Sequence, residues 1–191
     1  MTNPLRTFAS LYSTTLLTVL AGGLLTTYLG LRLSVMHVPQ LWIGSMMSAY
    51  YVGLVAGSKI GHRLIAQVGH IRAFVASAGI VAASALGHAL VDELAIWILL
   101  RLIVGMGMMC QYMVLESWLN EQAESSQRGT VFASYMIVSY FGLILGQGAI
   151  SLYPELGLEP LLLIAICFAL CIVPISLTRR IHPAPLVPAP L

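Results

Sequence analysis

The sequence predicts an all-α, polytopic membrane protein with six transmembrane helices. Of its 191 residues, 59% are hydrophobic and only 8% are charged, whereas charged residues make up about 25% of an average soluble domain. The apolar residues fall into six stretches, most of them close to the roughly 20 residues that a helix needs to cross the hydrocarbon core. The net charge of +2 and the lack of a basic run give no support to nucleic-acid binding. A lipid bilayer is therefore the first expected partner.

The six predicted spans follow one another with short connections, so consecutive spans are expected to run antiparallel. They are numbered 1 to 6 and comprise residues 8–31, 41–57, 73–91, 95–119, 131–153 and 158–177. Residues 1–181 are expected to form one six-helix transmembrane domain. Residues 182–191 are rich in proline and alanine, which is typical of an extended tail or the start of a linker.

The distribution of charge predicts the orientation of the spans. With the N-terminus inside, the inner segments carry seven of the nine basic residues, and Lys and Arg are enriched in cytoplasmic loops. We therefore expect both termini in the cytoplasm, with the protein in a bacterial-type inner membrane. The inner basic residues are Arg6, Lys59, Arg63, Arg72, Arg128, Arg179 and Arg180; the outer side holds Arg32 and the acids Asp92, Glu93, Glu155 and Glu159.

Arg101 is the one basic residue that lies clearly inside a predicted apolar span. A charge at bilayer depth costs from about 3 to more than 10 kcal/mol unless it faces protein or water, so it is a functional hypothesis by default. Spacings of three and four residues return to one helix face. That face of span 4 is expected to carry Arg101, Gly105, Met108, Tyr112 and Glu116.

Span 1 carries a small, polar face that is a candidate for lining an aqueous cavity. Thr15, Thr18, Gly22 and Thr26 recur at helical spacing. Ordinary helix packing explains such a face equally well, because small hydroxyl residues let helices approach and form hydrogen bonds across the contact. We extend the candidate cavity to Tyr112 in span 4 and to Gln147, a polar side chain in span 5.

The segment between spans 2 and 3 is expected to be a tight cytoplasmic loop that locks an inner gate. It contains three glycines and three basic residues, and the best acidic partner at the same membrane surface is Glu116, paired with Arg63 or Arg72. The alternative is that these basic residues only enforce topology and contact anionic lipid headgroups. The predicted gate residues are Gly57, Lys59, Gly61, Arg63, Gly69, Arg72, Glu116 and Arg128.

Glycines in spans 4 and 5 predict close helix crossings. In a bilayer, glycine allows backbones to approach closely, and the candidates are Gly105, Gly107, Gly142 and Gly146. The three cysteines, Cys110, Cys167 and Cys171, lie in apolar segments without His or Asp at ligand spacing. We interpret them as packing residues and expect no metal and no cofactor.

Several of these segments together resemble the N-terminal half of a major facilitator superfamily transporter, most closely its YcaD-like branch. The resemblance covers nearly all of the chain. Residues 57–72 are similar to the family's loop between helices 2 and 3, and Arg101-x-x-x-Gly105-x-Gly107 is similar to its helix 4 motif. Its most specific part is residues 116–120 (ESWLN), then Arg128 and Gly129, Tyr135 and Met136, and Gly142-x-x-x-Gly146-Gln147.

The resemblance implies one six-helix half, built as a 3+3 inverted repeat, whose substrate site lies against a second half. Helices 1, 2, 4 and 5 would line the path, Arg101 would act in coupling, and the basic loop residues would lock the inner gate. Two positions depart from the family pattern. Gly61 stands where an aspartate is common, so Glu116 would take over part of that role. Gln147 follows Gly146 where proton antiporters often have proline.

We therefore expect a secondary active transporter of a small organic solute, working by alternating access, with a proton as a candidate coupling ion. The alternative is a structural or accessory membrane subunit in which Arg101 and Glu116 only stabilise the fold. An enzyme is not expected, because an intramembrane serine protease needs a Gly-x-Ser-Gly motif and a later histidine as base. The chain lacks the motif, and spans 4 to 6 contain no histidine.

The second half would come from the remainder of a longer chain, from a separate subunit or from a second copy. The proline-rich end favours a truncated or split transporter over a complete homodimeric one.

Overall fold

A computed structural model describes residues 8–177, and every regular element within that range is a helix. The all-α class predicted from the sequence is thereby confirmed for the described residues. The predicted tail, residues 182–191, lies outside them, as do Arg6, Arg179 and Arg180.

Seven α-helices follow one another between residues 8 and 177, and the last two are nearly continuous. Their bounds are α1 Ala9–Val35, α2 Gln40–Val68, α3 His70–Leu90, α4 Leu94–Gln122, α5 Arg128–Ala149, α6 Glu159–Leu170 and α7 Ile172–Ser176. A single 3₁₀ turn, Ile150–Leu152, extends α5. Predicted spans 2 and 4 lie entirely inside the longer helices α2 and α4, and the other predicted spans overlap their helices with shifted ends.

Five of these segments are long and apolar enough to cross a membrane: α1, α3, α4, α5 with its 3₁₀ turn, and α6 together with α7. The helix α2 has 29 residues, which at about 1.5 Å per residue exceeds the hydrocarbon thickness. It does not meet the apolar criterion, because serine, glycine and two adjacent tyrosines interrupt its apolar residues. Predicted span 2, which lies in α2 and would bring the number of crossings to six, therefore stays a prediction.

The predicted loop at residues 57–72 is wrong, because α2 continues without interruption to Val68. Gly57 and Gly61 face α4. A Cβ built on Gly57 would lie 2.6 Å from the Met106 carbonyl oxygen, and one on Gly61 would lie 3.2 Å from the Cys110 Cα. These glycines bring two helices together instead of bending a loop. The turn is Gly69 alone, whose φ of 82° belongs to the left-handed region that glycine adopts readily.

Two helix pairs make the most extensive contacts, α2 with α4 and α1 with α5. The helix α3 packs on α4 and α6, and α1 packs on α6 as well. By contrast, α1 touches α2 and α4 at few positions, and so do α4 and α5 with each other. Exchanging α1 with α4, α2 with α5 and α3 with α6 reproduces this pattern of contacts.

The helices α2 and α5 bury only a narrow stripe, and the rest of their surface has no partner within the described chain. On α2 the exposed apolar side chains include Tyr51 and Val55, and on α5 they include Ile137 and Ile144, all more than half exposed. About 22% of the best apolar window of α5 is buried, compared with 44% for each of the other four candidate spans. These faces are left for lipid or for another protein surface.

Candidate functional site

Arg101 lies seven residues after the start of α4 and is almost completely buried, with 1% of its surface exposed. Its Nη2 atom donates a hydrogen bond of 2.5 Å to Oγ1 of Thr26 on α1. Its Cζ atom lies 4.5 Å from the ring centroid of Tyr50 on α2, which is within the range of a cation–π contact. The guanidinium therefore joins three helices, α1, α2 and α4.

Glycine at the α2–α4 crossing places Tyr50 over the guanidinium. A Cβ on Gly105 would overlap the Tyr50 carbonyl oxygen, so the α2 backbone rests directly on α4 one turn after Arg101. The hydroxyls of Tyr50 and Tyr112 lie within hydrogen-bonding reach of each other. Thr26 donates its own hydroxyl proton to the Gly22 carbonyl at 2.9 Å, which leaves its lone pairs free to accept from Arg101.

A histidine and a tryptophan lie on the α3 side of the arginine. His88 Nδ1 is 2.8 Å from the Ser84 carbonyl oxygen, so this nitrogen carries the proton and Nε2 presents a lone pair. The His88 and Trp97 rings meet edge to face, with centroids 5.4 Å apart. His88 is close enough to Arg101 for an electrostatic interaction, yet its buried Nε2 has no hydrogen-bond partner among the described residues.

Arg101 has no acidic partner within residues 8–177, where the one ion pair joins His70 Nε2 to Glu121 Oε1, 3.5 Å apart. The buried Nε and Nη1 atoms of Arg101 also have no hydrogen-bond partner in this range. A buried cation without a counter-ion is strongly destabilising, so this site needs a further ligand or a further charged group.

The structure divides the predicted cavity residues into three groups. Thr26 and Tyr112 lie beside Arg101. Thr15 and Thr18 are completely buried, and Thr15 donates its hydroxyl to the Leu11 carbonyl of its own helix at 2.8 Å. Gln147 is exposed on α5. Helix packing, the alternative for the span 1 face, therefore fits Thr15 and Thr18 better, while Thr26 stays with the arginine.

The predicted pairing of Glu116 with Arg63 or Arg72 does not form in this structure. Glu116 Oε1 instead accepts a hydrogen bond of 3.1 Å from the hydroxyl of Tyr135 on α5. The α2–α3 turn contacts α4 through His70, whose Nε2 lies 2.6 Å from Ser117 Oγ and whose ring lies 6.0 Å from that of Trp118. Four of the predicted gate residues are cations within residues 8–177: Lys59, Arg63, Arg72 and Arg128. None of them forms an ion pair with a carboxylate in that range.

The four glycines predicted to pack helices each meet a neighbouring helix. A Cβ on Gly107 would overlap the Val81 side chain of α3, and one on Gly146 would overlap the Leu20 carbonyl oxygen of α1. A Cβ on Gly142 would lie 2.9 Å from the Leu16 carbonyl oxygen. The fourth, Gly105, rests on the α2 backbone at Tyr50.

Sequence reasoning missed three polar groups, Tyr50, His88 and Gln111, of which the last two are buried. For Tyr50, an aromatic residue one turn before Gly53 was a usable signal. His88 lies close to the end of α3, where the sequence gives no sign of its burial. Gln111 of α4 is fully buried and neither its Oε1 nor its Nε2 has a described partner; a lone amide inside an apolar run was the signal that could have identified it.

Comparison with known proteins places the described helices in a family context. A sequence model described as "Sugar (and other) transporter" matches residues 7–177. An uncharacterised MFS-type transporter from Enterobacter sp. strain 638 is 31% identical over 167 residues, which cover 87% of this chain and 44% of the relative. The uncharacterised MFS-type transporters YcaD of Escherichia fergusonii and Shigella flexneri are 30% and 32% identical over 141 residues, or 74% of this chain and 37% of each relative. The chain thus spans less than half the length of these curated relatives.

Proposed function

Because the chain belongs to the major facilitator superfamily of transporters, we propose that it is one six-helix half of a secondary transporter that moves a small organic solute by alternating access. The observation that carries this proposal is Arg101, a cation held at the meeting point of α1, α2 and α4 without an acidic partner among the described residues. Intramembrane charges commonly mark substrate or ion pathways. The three helices that meet there are ones expected to line the path.

We further propose that α2 is the sixth span and that the half is a 3+3 inverted repeat. The exchange symmetry of the helix contacts supports this. Glycines four residues apart support it too, because Gly53 and Gly57 of α2 face Leu102 and Met106 of α4, while Gly142 and Gly146 of α5 face Leu16 and Leu20 of α1.

The proposed transporter contains a second six-helix half that covers the apolar faces of α2 and α5. Those two helices occupy equivalent positions in the proposed repeat, and both leave a broad apolar surface uncovered. In such transporters the substrate site lies between two halves. The relatives are more than twice as long as the matched segment, which supplies room for a second half.

At the cytoplasmic end, the proposed inner gate combines the basic face of α2 with the inner end of α4. Lys59, Arg63, Arg72 and Arg128 are its candidate cations, and Glu116 is its candidate acid, released from Tyr135 when the gate changes state. Both termini then lie on the cytoplasmic side of a bacterial-type inner membrane.

The candidate solutes include sugars, as the family description suggests, and organic acids, which the unpaired charge of Arg101 favours.

The first test is native mass spectrometry of the protein expressed from its own genomic context and purified in lipid nanodiscs. We expect each copy of this segment to be accompanied by a second six-helix half, in the same polypeptide, as a separate subunit or as a second copy. A stable particle that holds a single copy and no other membrane polypeptide would contradict the proposal.

The second test separates a transporter from an accessory subunit. Arg101→Gln is expected to abolish transport while assembly with the second half is retained. Arg32→Gln is the matched control, because Arg32 is a half-buried arginine of the outer side that donates to the Leu156 carbonyl at 2.8 Å. Loss of assembly in Arg101→Gln alone would favour the accessory role.

A further inference from the structure

The charge balance around Arg101 points to the chemical class of the solute. The chain has seven acidic residues in all, and each of them lies near a helix end or in a connection. Along α4, Glu93 precedes Arg101 by eight residues and Glu116 follows it by fifteen, which correspond to axial distances of about 12 and 22 Å. Among residues 8–177, no carboxylate forms an ion pair with the guanidinium.

The side chains that surround Arg101 are neutral. Arg101 itself presents two nitrogens, Nε and Nη1, that have no partner among the described residues. The hydroxyls of Tyr50 and Tyr112 are neutral at pH 7, and because they lie within hydrogen-bonding reach of each other, one of the two O–H groups is left to donate to a ligand. His88 offers one uncharged acceptor through Nε2, which leaves the positive charge uncompensated. Such a set matches an anion, which accepts hydrogen bonds and donates none.

On this basis, and resting on the proposed transport function, we infer that the solute is an organic anion, most simply a monocarboxylate, whose charged group binds Arg101. A carboxylate accepts two parallel N–H bonds from one guanidinium edge. Both such edges include Nη2, so the anion takes one N–H from Nε or Nη1, which have no described partner, and one from the Nη2 hydrogen that does not bind Thr26. The rings of Tyr50 and Tyr112 then lie against the carbon body of the solute.

Access to the arginine requires movement of Tyr50. Its ring lies across the guanidinium at 4.5 Å, so an incoming anion replaces a cation–π contact with charge-assisted hydrogen bonds, which are roughly twice as strong as neutral ones. An anion also supplies the negative charge that the buried guanidinium lacks, whereas a neutral sugar or an amine does not.

A carboxylate of the second half is the other source of the same chemistry. If that group neutralises Arg101 permanently, an added anion gains nothing at this site, and the protein shows no preference for acids over matched alcohols. The two sources therefore predict opposite results in a single binding experiment.

The experiment uses the purified protein with its second half in nanodiscs at pH 7, and three matched triplets of probes. These are acetate, ethanol and ethylamine; cyclohexanecarboxylate, cyclohexylmethanol and cyclohexylmethylamine; and benzoate, benzyl alcohol and benzylamine. Binding is followed by isothermal titration calorimetry. In at least one triplet the acid should bind tenfold or more tightly than its alcohol and amine.

Three variants tie that preference to the arginine. In Arg101→Gln the preference for the acid should fall to less than twofold, and in Arg101→Lys it should persist with weaker binding, because the charge remains while the planar fork is lost. The control Arg32→Gln should keep the full preference. If Arg101→Gln does not assemble, the comparison of Arg101→Lys with Arg32→Gln still tests the inference.

The inference is overturned if the alcohol or amine binds best, if no triplet shows a preference, or if Arg101→Gln keeps it. These results leave the transport proposal intact, since a neutral or cationic solute can still be transported. Conversely, a protein without a second half that nevertheless binds acids through Arg101 would refute the transport proposal and leave the anion site standing.

Discussion

The two long helix crossings, α2 on α4 and α1 on α5, use the same packing device and differ in what they hold. In both, a pair of glycines four residues apart rests on backbone carbonyls of the partner: Gly53 and Gly57 on α4, Gly142 and Gly146 on α1. The α2–α4 crossing also buries a cation beneath an aromatic ring. At the α1–α5 crossing no charged residue is buried within the described range.

The α2–α4 crossing is also the tighter of the two. Gly105 of α4 meets the α2 backbone so closely that a Cβ would overlap the Tyr50 carbonyl oxygen. On the other side, a Cβ on Gly23 of α1 would lie 3.3 Å from the Leu143 carbonyl oxygen of α5. Similar scaffolds thus serve two purposes: one crossing fixes a charged site, and the other holds helices together.

The largest expected effect comes from adding one methyl group at the crossings. Gly53→Ala and Gly146→Ala should each destabilise the protein by about 1–3 kcal/mol or more, because the new Cβ meets a backbone oxygen that cannot move aside. Thermal unfolding in nanodiscs measures the loss. The controls on the same two helices are Gly44→Ala and Gly148→Ala, whose added Cβ atoms meet no atom within 4 Å. Equal losses of stability in these controls would show that close packing at the glycine crossings is not the cause.

The next largest effect compares how closely the two pairs of helices pack. Gly105→Ala should be as damaging as Gly53→Ala, whereas Gly23→Ala should cost about 1 kcal/mol or less, since the Leu143 side chain and backbone can shift by a few tenths of an ångström. The same unfolding assay compares the two variants. A larger loss for Gly23→Ala would reverse this order of tightness.

A smaller effect is expected from the aromatic ring over Arg101. Tyr50→Leu should cost about 0.5–2 kcal/mol through loss of the cation–π contact. Tyr50→Phe keeps the ring and should lose only the contact of its hydroxyl with that of Tyr112, about 0.5–1.5 kcal/mol. In an Arg101→Gln background the difference between Leu and Phe should disappear, and persistence of the full difference there would show that the ring stabilises the fold by packing alone.

The smallest effects belong to the C-terminal end of α4. Glu121→Gln should cost less than about 1 kcal/mol, because its partner His70 is a partly exposed ion-pair member. Tyr135→Phe removes the hydrogen bond to Glu116 and should cost about 0.5–1.5 kcal/mol. Both values come from unfolding midpoints, and a loss as large as that of Gly53→Ala would place the critical contacts at this end instead.

The sequence predicted the helices well because apolar runs of membrane-spanning length leave few alternatives to a helix. It failed at residues 57–68, where glycine beside Lys59 and Arg63 resembles a loop. Only the position of α4 shows that Gly57 and Gly61 are contact points on a continuing helix. A one-dimensional pattern does not reveal which helix a glycine faces.

The candidate site was predictable only in part, because the sequence pattern does not show which residues of different helices meet. Arg101 stood out by its own chemistry, but its contacts with Tyr50 and Thr26 come from helices far away in the sequence, which helical spacing cannot pair. Thr15, Thr18 and Thr26 share one apparent stripe, yet the structure buries the first two and joins the third to the arginine. The direction of that face depends on where α6 and α4 pack, which the sequence does not contain.

The most direct test of a charged solute site at the α2–α4 crossing is the uptake of labelled carboxylates into proteoliposomes. We expect that the complete protein gives saturable uptake, that Arg101→Gln abolishes it at unchanged protein level and unfolding midpoint, and that Arg32→Gln retains it. Uptake at a normal rate in Arg101→Gln would contradict a charged solute site at Arg101.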